Sequence, residues 1–179
     1  MTILDSKQKL LILLFATICI FILNCAGHQS KSINNDNEFS SIIEKGKLFW
    51  DQRSDTNAIK KAQHFIGSAY NQNPGDYDLA LLYGKILYTN GLFHEKNNKN
   101  KTKLFFDGAS ICRNAIFNHP DFHSIYQNTK GDSSFRILST IIEAPKSLIP
   151  GLFWWANNLS SYLNLKPVLE RINNRELIE

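Results

Sequence analysis

The chain has 179 residues, 43% of them hydrophobic and 20% charged, the balance of an ordinary globular domain with attachments and not of a disordered chain. Its 20 Lys+Arg against 16 Asp+Glu leave a formal charge of +4, too mild to form the electrostatic footprint of a nucleic-acid-binding protein. Three cysteines, nine glycines and five prolines exclude a disulfide-dense scaffold and a collagenous or low-complexity chain.

Lys7 and Lys9 precede the apolar run Leu10–Leu23, LLILLFATICIFIL. The run falls short of the roughly 20 residues that span a bilayer, so it reads as the centre of a secretory signal. Ile22-Leu23-Asn24-Cys25 resembles a bacterial lipobox, with Asn24 standing where a small residue is usual. That resemblance implies a signal peptide over residues 1–24 and lipid attachment at Cys25. The mature chain would then sit in the bacterial cell envelope, held on the membrane through its lipid and facing the periplasm. An uncleaved N-terminal anchor is the alternative. Each buried methylene of an acyl chain contributes about 0.8 kcal/mol, so several chains would anchor stably. Cys19 would leave with the signal, and Cys112, lying in an apolar helical pattern, reads as a small core residue.

Residues 25–37 are polar and rich in Ser and Asn, and read as a flexible tether to a helical repeat domain over 38–179. Phe39, Ile42, Ile43, Gly46, Phe49 and Trp50 make one helical stripe. Ser54–Asn57 breaks it and supplies caps for a second helix carrying Ala58, Ala62, Phe65, Ile66, Ala69 and Tyr70, which Pro74 and Gly75 stop. Asp76 caps a third helix with Leu79, Leu82, Tyr83, Ile86 and Leu87. His94–Lys103, HEKNNKNKTK, reads as an exposed loop. A fourth helix runs from about Leu104 to Asn118 and ends at Pro120. Ser133–Glu143, Gly151–Leu163 and Pro167–Ile178 are further helix candidates, and no segment alternates with the period of a strand.

Ala62, Ile66, Ala69 and Pro74 share their spacing with Gly108, Cys112, Ala115 and Pro120. These are the small, apolar, small and Pro positions of the second helix of a tetratricopeptide repeat. Gly84 falls at the small position of the first helix, and Trp50 takes that place in the first repeat. The expected fold is all-α, with stacked antiparallel helix pairs in a tetratricopeptide-like solenoid and a concave face. A generic helical bundle is the alternative.

No motif for a nucleotide, metal or nucleophile stands out, so no catalytic residue, metal ligand or cofactor is expected, and the chain reads as a non-enzyme. His119 and His123 are separated by Pro120, which breaks the helical face a metal would need. The unusual feature is Leu152-Phe153-Trp154-Trp155-Ala156-Asn157-Asn158-Leu159. Adjacent residues of a helix project about 100° apart, so the two indoles cannot share one core position. One reading has one Trp in the core and the other covering a neighbouring helix. The other reading has one of them lining a binding groove.

With the lipobox and the repeat positions, Trp50, Arg53 and Asp55 and the block Phe153, Trp154, Trp155, Ala156, Asn158 and Leu159 make the chain similar to the TatT family. These are tetratricopeptide-like lipoproteins associated with tripartite ATP-independent periplasmic (TRAP) transporters. The resemblance implies a non-enzymatic scaffold that binds the transporter's periplasmic substrate-binding protein or a small hydrophobic or organic-acid ligand. It implies binding through Trp154, Trp155 and Asn158, and a homo-oligomer, a trimer. Family members continue into further repeats after the Trp/Asn block, so this chain would be a copy shortened at its C-terminal end. A general tetratricopeptide lipoprotein of envelope assembly is the alternative function.

Overall fold

The computed structural model describes residues 36–173. The signal segment, Cys25 and most of the tether lie outside the described residues. The described part is all-α, with no strand in it. Helix α1 occupies residues 36–51, so Asp36 and Asn37, assigned above to the tether, are helical. It is followed by α2 (Thr56–Gln72), α3 (Tyr77–Thr89), a π-helical turn (Asn90–His94), α4 (Asn98–Asn118), α5 (Pro120–Asn128) and α6 (Ser133–Ile142). A short 3-10 turn (Lys146–Leu148) leads into α7 (Ile149–Asn164), and α8 (Val168–Asn173) ends the described chain.

Most boundaries follow from short polar side chains that satisfy free N–H groups at helix starts. Asp55 accepts from the backbone N–H of Asn57 and Ala58, each at 2.8 Å. Asp76 accepts from Leu79 at 2.9 Å, and Asp132 from Phe135 at 2.9 Å. Two further boundaries depart from the sequence reading. The expected loop His94–Lys103 is helical from Asn98, because Asn97 accepts from the N–H of Lys99 and Asn100 and starts the helix early. Pro120 ends α4 and also opens α5, a helix the apolar pattern did not announce. It sits in the first turn of α5, where its fixed φ is favourable and its missing N–H costs nothing.

The core runs through α2, α3 and α4, where Ile59, Ile66, Ile86, Leu87, Cys112 and Ile116 are buried. Helix α3 packs against α2, α4 and α7, and α4 packs against both α3 and α7. The crossings depend on missing side chains. A β-carbon on Gly46 of α1 would collide with Ile66 of α2, and one on Gly84 of α3 would collide with Cys112 of α4. Both crossings are therefore close approaches of a glycine backbone to a core side chain on the neighbouring helix. On α1 the close approach falls at Gly46, one turn before Trp50.

Helices α5 and α6 pack on each other beside the end of α4. A second apolar cluster forms there from Ile116, Phe122 and Leu148, with Tyr77, Phe117 and Trp155 packed against it. Arg136 of α6 donates to the Tyr126 carbonyl of α5 through Nη2 at 2.6 Å, and its guanidinium lies 3.9 Å from the Tyr126 ring centre. Among the described residues no helix is long and apolar enough to cross a membrane.

Candidate functional site

The three residues expected to bind fall in three different environments. Asn158 is completely buried. Its Nδ2 donates to the carbonyl of Gly84 at 3.2 Å and of Trp154 at 2.9 Å. Gly108 of α4 has no side chain because one there would occupy the space of the Asn158 amide. Asn158 thus joins α7 to α3 across α4. Trp155 turns toward the second cluster, its ring meeting Phe117 edge-on with centres 6.0 Å apart. Trp154 turns the other way, against Tyr88 of α3 at 5.7 Å and against its neighbour Phe153 at 5.0 Å. The 100° between successive helical residues sends the two indoles to different sides of α7.

Trp154 is joined on its side by a residue the sequence reading did not select. Lys85 of α3 places its ammonium 5.6 Å from the Trp154 ring centre and 5.1 Å from that of Trp50 on α1. Residues far apart in sequence, on α1, α3 and α7, thus form one row: indole, ammonium, indole. Arg53, just past α1, adds a second cation, its guanidinium carbon 4.8 Å from the Trp50 ring centre. An ammonium or guanidinium over an indole face within about 6 Å gains roughly 0.5–1 kcal/mol at exposed sites and more when desolvated. These contacts fix Lys85 and Arg53 in place without neutralising them. Among the described residues no carboxylate lies within ion-pairing distance of either cation.

Arg53 also lines an open cleft of about 560 Å³ bounded by Asp51, Ser54, Thr89, Phe93 and His94. His94 closes one side of it, its Nδ1 lying 3.1 Å from Thr56 Oγ1 at the start of α2. Phe93, in the same wall, is 72% exposed and Phe153 beside Trp154 is 56% exposed. The face therefore offers two held cations, four indole or benzyl surfaces and a cleft. That combination suits an anion with an apolar body, such as an aliphatic or aromatic carboxylate. Arg53 supplies a planar fork of donors and Lys85 a compact charge.

Among the described residues, Cys112 and the histidines of α5 serve the packing and the helix ends. Cys112 is fully buried, and burial pushes its thiol up to about 12, so it is protonated and unreactive at neutral pH. His119 caps α5 by accepting from the N–H of Asp121 and meets Tyr77 edge-on, while His123 pairs with Gln127. Among the described residues no cluster of His, Cys, Asp and Glu could hold a metal ion. No family model matches the chain, and neither a curated protein nor a solved structure is significantly similar to it.

Proposed function

We propose that this chain is a non-enzymatic, lipid-anchored helical scaffold of the bacterial cell envelope. Its Trp50–Lys85–Trp154 face receives a carboxylate-bearing solute with an apolar body. The observation that carries this reading is Lys85 itself: a half-buried ammonium, held between two indoles and left without a carboxylate. A cation in that setting keeps its full attraction for an anion, and the surrounding rings lower the local dielectric and strengthen it.

On this reading Cys25 tethers the chain to the membrane, and the helical repeats stack as a solenoid with α1, α3 and α7 as the helices of its binding face. A TatT-like role follows from the same chemistry. Organic acids would be received here and exchanged with the periplasmic substrate-binding protein of a TRAP transporter. A protein partner in envelope assembly is the second reading. It is favoured by Phe93 and Phe153, which extend the apolar rim beyond the needs of a small acid.

The test is a titration of the full chain, in a neutral detergent, with straight-chain carboxylates of increasing length, followed by tryptophan fluorescence. Affinity is expected to rise with chain length, by roughly 0.8 kcal/mol per buried methylene. Lys85→Gln is expected to weaken it by about tenfold or more, the worth of one charge-assisted hydrogen bond. Binding that is indifferent to Lys85→Gln, or equal for the matching alcohols, rejects the reading.

A further inference from the structure

A second opening shares no residue with the face described above. It is a cleft of about 770 Å³ between α2 and α4, floored by Tyr83 of α3 and by Asn90. Asn90 begins the π-helical turn, and its carbonyl accepts from the N–H of Glu95 at 2.9 Å, the five-residue bond that defines such a turn. Turns of this kind occur in single copies, often beside binding sites. Here the turn sets Asn90 in the cleft floor with 5% exposure. Its Nδ2 donates to Gln63 Oε1 at 2.6 Å, but its Oδ1 has no partner among the described residues. A buried acceptor left unmet is unfavourable, so a donor brought to this point recovers that cost.

The rest of the lining narrows the donor's chemistry. Gln63, Asn71, Asn90 and Asn100 supply four side-chain amides. Lys60 and Lys103 are balanced by Glu95 and Asp107, and Lys103 is already paired with Asp107. Leu104 is the only aliphatic residue in the lining. A balanced charge disfavours an ionic ligand, and the lack of apolar pockets disfavours a peptide, whose side chains need them. Amides suit hydroxyls, because one hydroxyl both donates to an amide oxygen and accepts from an amide N–H. A hydroxyl seated between Gln63 and Asn90 would give to Asn90 Oδ1 and receive from Gln63 Nε2.

We propose that this cleft is a binding site for a neutral, hydroxyl-rich ligand of the saccharide class. Tyr83 and the amides of Gln63, Asn71, Asn90 and Asn100 form the site. The test is saturation-transfer NMR on the full chain in a sugar-free zwitterionic detergent, with maltose and N,N′-diacetylchitobiose as probes. Transfer to at least one of them is expected. Asn71→Trp, a change at an exposed rim position, is expected to reduce it by about tenfold or more. Trp154→Ala, on the other face, is expected to leave it unchanged, which separates this site from the carboxylate face. Asn90→Leu should also abolish transfer, but it alters a buried position, so the exposed Asn71→Trp carries the test. No transfer from either saccharide overturns the proposal. So does transfer that Asn71→Trp leaves intact, or transfer from a neutral blocked dipeptide with none from the sugars.

Discussion

Asn158 reaches from α7 past the bare backbone of Gly108 to donate a hydrogen bond to the carbonyl oxygen of Gly84 at 3.2 Å. Three helices meet there without a side chain on either glycine. The same Gly84 lies against Cys112 Sγ, so four residues from α3, α4 and α7 share one small volume. Close packing in that volume lets one residue report on another.

Gly84→Ala is expected to destabilise the fold by about 1–3 kcal/mol, because its β-carbon would overlap Cys112 Sγ in a packed interior. Cys112→Ala alone should cost a comparable amount through the cavity it leaves. The double variant should lose less than the sum by about 1 kcal/mol or more, since the second change makes room for the first. Urea denaturation of the four proteins measures this, and strict additivity would show that α3 and α4 do not cross at this point.

Cys112 also predicts a dependence on alkaline pH. Burial raises its thiol from an ordinary 9.0 to about 12. The folded state therefore keeps a proton that the unfolded state gives up. The stability this contributes is complete below pH 9 and is lost as pH rises toward 12, at up to about 1.4 kcal/mol per pH unit. Cys112→Ala should show a shallower decline over that window. Burial also raises the phenols of Tyr70, Tyr77 and Tyr83, so a residual decline remains. Alkylation of Cys112 at pH 8 should require unfolding first.

The adjacent tryptophans should separate stability from recognition. Trp155→Ala removes a ring packed on Phe117 and the second cluster, and is expected to cost about 3 kcal/mol in folding. Trp154→Ala removes one wall of the Lys85 pocket and should cost about 1 kcal/mol while weakening carboxylate binding by about tenfold. Thermal melts and fluorescence titrations of both variants check this. Equal effects on both measurements would mean that the two indoles do not face different sides.

Asn97→Ala is expected to lower stability by about 1 kcal/mol by leaving the N–H groups of Lys99 and Asn100 unpaired. The first turn of α4 should then exchange its amide hydrogens faster, with the Lys101 N–H, bonded to the Asn97 carbonyl, a sensitive reporter.

The long helices were legible because their apolar residues recur at helical spacing over three or more turns, as in α2 and α3. The first turns of α4 were not, because Asn98–Lys103 is polar on every side and its start is set by capping side chains, Asn97 accepting from Lys99 and Asn100 and Glu95 from Asn97. Pro120 was read for what it stops and not for what it starts. At the candidate face, Trp154 was recognised from its rarity. Its partners Trp50 and Lys85 lie on other helices, and no local pattern brings three distant residues together. At Asn158 the Trp/Asn block suggests contact with a ligand; what no local pattern announces is that its amide donates to Gly84 on α3 as well as to Trp154 on its own helix.

Helix α4 packs directly on α7, although α5 and α6 lie between them in the chain. The intervening hairpin is fastened at its root by Ser147 Oγ donating to Asp121 Oδ2 at 2.6 Å and by Phe122, buried against Ile116 and Leu148. It is a side branch seated at the end of α4, not a spacer between α4 and α7. Lengthening the turn between α5 and α6 would therefore leave both fastenings in place, whereas trimming the branch back past Phe122 would open the second cluster.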